Sequence, residues 1–292
     1  MFEWKVDGRS FCIRDVQSES EFHTIEDIQK EAWGFNDLDT VPAATLMATQ
    51  HAGGIVLGAF DGDKMIGFAH GFAAYEEGRA SIHSHMLAVR PEYRNFQAGF
   101  FLKLAQRRRT LEKGLDEITW TYDPLQSLNA HLNFAKLGVI SQRYIVNFYG
   151  EATSSPLHQG FGTDRLWVRW LLKSDRVKQL VSRSPRARRS ANAATGDERL
   201  DATLKEALVT SERDRPHRAD FRRLSSEYLC AIEIPHNINA LKEHDPSLGT
   251  AWREATREAF LAAINAGFEV SDFLSVESKP KPRWFYLLTR SS

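Results

Sequence analysis

The sequence predicts an α/β fold of the α+β kind: a mixed, mostly antiparallel sheet flanked by helices, with a smaller α/β block toward the C-terminus. Three observations predict it. Asp61-Gly62-Asp63 is a tight turn between two apolar runs, so Gly53 to Phe60 and Lys64 to Phe72 should pair as a hairpin. Ala80 to Val89 alternates its side chains and stops before Pro91. A helix-period stretch, Ala98 to Lys113, then crosses to the strand Asp116 to Tyr122, and such a crossover makes the two strands it joins parallel.

The other elements follow by the same rules. Phe22, Ile25, Ile28 and Ala32 recur at helical spacing within Glu21 to Trp33. In the crossover helix Phe101, Leu104, Ala105 and Leu111 lie on one side, and Gly114 is placed to end it. Asp123-Pro124-Leu125-Gln126 reads as a helix start: Asp123 can cap, Pro124 suits the first turn, and Gln126 can answer the cap. That helix carries Ala130, Phe134 and Leu137 on one face and ends at Gly138; strands Arg143 to Tyr149 and Thr163 to Leu172 close the block. The second block offers a strand (Tyr228 to Ile234), a helix (Ala251 to Ala266) and two strands (Phe268 to Ser275, Trp284 to Thr289) around the turn Lys279-Pro280-Lys281-Pro282. The expected organisation is a domain over 1–173, a charged linker or exposed loop over 174–220, and a C-terminal extension over 221–292 that packs on the sheet or extends it. The middle segment is expected to lie exposed because Ser182 to Ser190 is rich in arginine and Ala191 to Glu198 has little to bury.

Composition narrows the function classes. The 292 residues are 42% hydrophobic, as in an ordinary globular core. Lysine plus arginine and aspartate plus glutamate each number 38, so no net positive field recruits nucleic acid or an anionic membrane. Cys12 and Cys230 match no metal spacing and suggest a reducing compartment. Without a stretch of ~20 apolar residues or a signal-like start, the expectation is a cytoplasmic protein with no nucleic-acid partner, no membrane partner and no metal.

The run that carries chemistry is Leu87-Ala88-Val89-Arg90-Pro91-Glu92-Tyr93-Arg94-Asn95-Phe96-Gln97-Ala98-Gly99-Phe100, where a strand gives way to a helix. A helix N-terminus leaves backbone N–H groups without partners at the positive end of the dipole, and a pyrophosphate satisfies them. Val89, Pro91 and Arg94, followed by Gln97 and Gly99, resemble the motif of the GNAT acyltransferases: Val-x-Pro-x-x-Arg, then a loop Arg/Gln-x-x-Gly-x-Gly/Ala. The first loop glycine is Gln97 here. Ala130 to Val139 is similar to the family's Ala-x-x-x-Tyr-x-x-x-Gly helix, with Phe134 in place of tyrosine. The resemblance covers roughly residues 20 to 150. Gly67-Phe68-Ala69, Ser84 to Leu87 and Thr119 to Gln126 resemble a bacterial branch of these proteins that also carries a C-terminal extension.

The resemblance implies the GNAT fold and direct transfer from acetyl-CoA or another acyl-CoA, including succinyl transfer, to the amine of a small molecule, an amino acid among the candidates. It implies cofactor contacts at Met86, Leu87, Ala88 and Val89, where the amide-rich arm can pair as an added strand and a backbone N–H can meet the oxyanion. Further contacts follow at Arg94, Gln97, Ala98, Gly99 and Phe100, and at Ser127 and Asn129, near where relatives often have an asparagine. It also implies that the tyrosine replaced by Phe134 protonates the departing thiolate in relatives, which phenylalanine cannot do. His85, just before the cofactor segment and sharing a face with His83, is the first candidate base; Glu31 and Asp123 are the others, and each also has a structural reading. The alternatives are an acyl-CoA sensor without turnover, or an interaction protein on the same scaffold. A homodimer is open to either.

Overall fold

The computed structural model describes residues 1–150, 161–182, 198–212, 214–278 and 281–290. They fall into two compact units, one over Met1–Trp120 and the other from Thr121 to the C-terminus.

The first unit opens on a hairpin of β1 (Phe2–Val6) and β2 (Arg9–Asp15), whose apolar Phe2, Trp4 and Val6 alternate with Glu3 and Lys5. Helix α1 (Glu19–Trp33) starts where Ser18 accepts a hydrogen bond from Glu21 N. Helix α2 (Ala43–His51) follows, then β3 (Ile55–Asp61), β4 (Lys64–Glu76) and β5 (Arg79–Val89), joined by the expected turn. Helix α3 (Ala98–Glu112) crosses to β6 (Glu117–Tyr122). The sheet order is β1-β2-β3-β4-β5-β6; neighbours are antiparallel except β5 and β6, which are parallel as the crossover requires. On one face Phe22, Ile25 and Ile28 of α1 pack with Leu46 of α2 over Val56 and Phe68. Helix α3 contacts β3, β4 and β5.

In the second unit α4 (Ser127–Ala130) continues as a π-helical turn (His131–Leu137). The chain then forms β7 (Ile140–Ile145), β8 (Arg165–Leu171), α5 (Asp175–Ser182), α6 (Glu198–Lys205), β9 (Val209–Glu212) and β10 (Arg215–Arg218). It ends with β11 (Leu229–Ile234), α7 (Ile238–His244), α8 (Pro246–Asn265), β12 (Phe268–Val276) and β13 (Arg283–Arg290). The strands are ordered β8-β7-β12-β13-β11-β9-β10, with charge and Pro216 on the last. Trp252, Phe260 and Ala263 of α8 are buried, and Phe260 meets Tyr286 of β13 edge-on at 5.1 Å.

Three expectations change. The segment 174–220 is not simply an exposed loop: its described ends form α5, α6, β9 and β10. Sparse apolar residues suffice there, because Val177, Leu204, Leu208 and Val209 are all buried; the arginine-rich stretch falls mostly outside the described residues. Helix α4 begins at Ser127 rather than beside Asp123, because the Asp123 carboxylate is taken by Leu125 N at 2.9 Å and by Arg253. Helix α8 starts at Pro246, earlier than its apolar spacing shows, because Asp245 caps it by accepting from Leu248 N. The turn at 279–282 lies partly outside the described residues. Among those described, no helix is long and apolar enough to cross a membrane, and no group of acidic, histidine or cysteine side chains is arranged to hold a metal.

Candidate active site

Strand β5 is irregular where chemistry is expected. Its register against β4 passes from His70↔Met86 to Gly71↔Ser84, so His85 is an extra, bulged residue. A bulge bends the strand and re-aims its side chains. The described ladder between β5 and β6 consists of Ile82↔Ile118 and His83↔Thr119, leaving the bulge and Met86, Leu87, Ala88 and Val89 outside it. These four residues pair with β4 on their other side.

The chain leaves β5 through Arg90, whose N–H donates to Ile66 O, and makes a 3-10 turn, Pro91–Phe96. That turn is fastened from below: Tyr93 is buried, and Trp4 Nε1 donates to Phe96 O at 3.0 Å. Gln97 then takes φ 61° immediately before α3. That left-handed conformation explains why a glycine suits the position, and a side chain there costs about 1 kcal/mol. Gln97 keeps the geometry of the loop while adding bulk. Its side chain makes no capping bond to the helix, and no acidic residue lies in the first turn of α3, so nothing there competes for an anion.

Ala98 and Phe100 are buried and anchor the first turn of α3. Gly99 lies between them, against the side chains of Leu87 and Val89: a Cβ there would meet Leu87 Cδ2 at 3.5 Å and Val89 Cγ2 at 4.0 Å, ordinary contacts. Arg94 is exposed, with Nε 3.5 Å from Val89 O. The structure therefore brings Leu87, Val89, Arg94, Gln97 and Gly99 together around one helix start.

On the α1 and α2 side of the sheet, His70, Phe72, His83 and His85 form a ring cluster: Phe72 lies 5.3 Å from His83 and 5.6 Å from His85, and His85 is edge-on to His70 at 5.8 Å. His83 Nδ1 is 2.9 Å from Thr119 Oγ1. Burial, with a smaller repulsion from His85, pushes the pKa of both His70 and His83 down to about 4. His85 keeps more of its surface in solvent, but the surrounding protein still lowers its pKa, which favours the neutral, basic imidazole. Glu31, the second candidate base, is ion-paired with Arg90, a pairing that ties α1 to the end of β5.

On the α3 side, Lys103 is buried: Nζ donates to Ser84 Oγ at 2.7 Å and to Gln106 Oε1 at 3.2 Å, and lies 3.7 Å from the centre of the Trp120 ring. Burial lowers its pKa well below the usual lysine value. Sequence reading missed this group, although Lys103, Gln106 and Thr110 form a polar stripe at helical spacing on the face that packs against the sheet.

Asp123, Ser127 and Asn129 belong to the second unit. Both Asp123 oxygens accept from Arg253 at 2.8 Å. Burial raises the carboxyl pKa, and the facing guanidinium more than offsets that, so the net shift is downward and the group is a poor base. Ser127 Oγ donates to His236 O at 2.6 Å, and Asn129 is exposed. Phe134 is fully buried, 5.7 Å from Tyr286, without a polar atom to offer.

Comparison with known proteins gives these features a context. Residues 22–138 match the model of the acetyltransferase (GNAT) family. No curated protein matches the sequence. Among solved structures, a Salmonella typhimurium protein with its cofactor acetyl-CoA is 16% identical, with a TM-score of 0.46, covering 56% of this chain and 95% of that one. An aminoglycoside 6'-acetyltransferase of type Ii is 18% identical, with a TM-score of 0.45, over 56% of this chain and 98% of that one. The ribosomal-protein-S18-alanine N-acetyltransferase from Escherichia coli is 15% identical, with a TM-score of 0.44, over 56% and 95%.

Proposed function

The chain carries an acetyltransferase domain of the GNAT family over residues 22–138, and from that premise we propose that it transfers an acyl group, acetyl or succinyl, from coenzyme A to the amine of a small molecule. The observation that carries this reading is the bulge at His85 leading into the start of α3. An acyl-CoA fits these residues: Gln97 retains the left-handed backbone, and Gly99 leaves the helix start open beside Leu87 and Val89. The α3 amides and Arg94 would hold the pyrophosphate, and the β5 edge from Met86 to Val89 would pair with the amide-rich arm.

In the transfer, the amine nitrogen bonds to the thioester carbonyl carbon, a backbone N–H near the bulge meets the oxyanion, and the carbon–sulfur bond then breaks to release the thiolate. His85, neutral at pH 7, takes the proton the amine loses. Phe134 has no hydroxyl, so the thiolate leaves unprotonated or takes its proton from solvent. The unpaired thiols of Cys12 and Cys230 suit a cytoplasmic setting.

Incubating the protein with acetyl-CoA or succinyl-CoA and a panel of amino acids and simple amines, while measuring thiol release and product mass, tests the proposal. Turnover that falls about 100-fold in His85→Ala is expected. Binding of acyl-CoA without thiol release from any amine would instead favour a sensor, a reading motivated by Gln97 and Phe134.

A further inference from the structure

Strand β1 leaves one edge of the first unit's sheet unpaired: it stands first in the strand order, and β2 is its one strand neighbour among the described residues. The turn that follows it fixes what that edge presents. Asp7 and Gly8 are the two central residues of the turn, at φ 49° and 79°, the geometry of a two-residue hairpin loop. In such a hairpin the flanking residues, here Val6 and Arg9, exchange both backbone bonds, and bonded pairs then alternate with non-bonded ones along the regular register. Trp4↔Phe11 and Phe2↔Ile13 are therefore bonded pairs, and the N–H and C=O groups of Glu3 and Lys5 point away from β2.

That outward row is open. The helices pack farther in, α1 and α2 on β3, β4 and β5, and α3 on β2 to β5. The rings of Phe2 and Trp4 reach Phe101 of α3 on the face opposite Glu3 and Lys5. Glu3 and Lys5 are both exposed, and neither makes an ion pair among the described residues. No proline or bulge blunts β1, whereas β10 of the second unit carries Arg215, Pro216 and Arg218.

We propose that this edge pairs with the same edge of a second copy, antiparallel about Trp4, so that Glu3 lies opposite Lys5 of the second copy and Lys5 opposite its Glu3. Charge selects this register. Outward residues bond only with outward residues, so the competing antiparallel registers set Glu3 against Glu3 or Lys5 against Lys5, like charges face to face. The register about Trp4 is self-complementary, as a two-fold contact requires, and gives two bonded pairs, each with two backbone hydrogen bonds and one opposite-charge pair. A lone edge lysine would repel its copy and blunt the strand; here each lysine meets a glutamate. On the other face, half-buried Phe2 meets Val6 of the second copy.

Sedimentation of the full chain over a concentration series tests this. A contact of one short strand lies at the low end of interface sizes, so the wild-type protein should be half-dimeric at roughly tens of micromolar. Glu3→Lys and Lys5→Glu each put like charges opposite one another in both pairs and should weaken association about 10-fold or more. Both residues are exposed, so either variant should keep the wild-type amide spectrum. The exchanged protein, Glu3→Lys with Lys5→Glu, should regain the wild-type affinity within a few-fold. An equimolar mixture of the two single variants should form the heterodimer, although neither pairs with itself. A wild-type chain still monomeric at roughly several hundred micromolar would overturn the proposal. So would a dimer that the single variants leave unchanged, or an association that neither the exchange nor the mixture restores.

Discussion

The two units differ in how they bury most of their titratable groups, with His131 of the second unit, also pushed down to about 4 by burial, as the exception. Around the β5 bulge the first unit buries titratable side chains without an opposite charge beside them: burial pushes His70 and His83 down to about 4 and lowers Lys103 well below its usual value. The second unit buries charges in pairs: Asp123 with Arg253, Asp164 with Arg257, Glu233 with Arg283. A buried pair that bonds in two places has its valences filled and holds shape. A buried neutral base keeps a lone pair for a proton. The pairs hold the second unit's shape, while buried imidazoles leave groups in both units that acid can protonate.

Breaking a pair should have the largest effect. Arg253→Met strands Asp123, whose side chain is 13% exposed, and should cost about 3–5 kcal/mol in chemical denaturation. A loss below about 1 kcal/mol would show that water already reaches the carboxylate. Acid should act next, through the buried imidazoles, His131 of the second unit among them. His70 and His83 go from 6.5 to about 4 on folding, so the unfolded chain binds more protons between those values. Their contribution is complete above pH 6.5 and fades as pH falls toward 4, by roughly 3 kcal/mol each, an order-of-magnitude figure. Denaturation midpoints measured from pH 7 to 4 check this, and His83→Phe should flatten the slope.

Lys103 should act with the same sign below pH 10.5. Its pKa is depressed on folding from 10.5, so stability should rise with pH until the unfolded lysine also loses its proton. Lys103→Met should abolish that rise; an unchanged slope would mean that the ammonium is charged against Trp120. Gly99→Ala should change least. Its Cβ would make only ordinary contacts, so folding should be unaffected and acetyl-CoA affinity should drop a few-fold at most.

Much of this was legible in the sequence. Alternation, the Asp61-Gly62-Asp63 turn and the run into Pro91 predicted β3, β4, β5 and α3 to within a few residues, because each of these elements is specified by neighbours in the chain. The helix start at Gln97 was legible as a motif, but not that glutamine itself takes the left-handed φ. What escaped depends on distant partners. The Asp123 signal has the form of a cap in the sequence, where its partner Arg253 lies 130 residues away. His70 meets Thr49 of another element, and the bulge that exposes His85 exists only in the register between two strands. Strands β1 and β2 and helix α2 carry weaker local signals, the alternation of Phe2, Trp4 and Val6 being the plainest.

The central claim is that the end of β5 and the start of α3 bind an acyl-CoA. Calorimetric titration of the wild-type protein and an Arg94→Glu, Gly99→Trp double variant with acetyl-CoA tests it most directly. The first residue is exposed and the second lies against Leu87 and Val89, so the fold should tolerate both changes while charge and bulk close the pyrophosphate site. Saturable binding by the wild-type protein, lost in a variant whose amide spectrum shows it folded, is the predicted result. No binding by the wild-type protein, or equal binding by both, would contradict it.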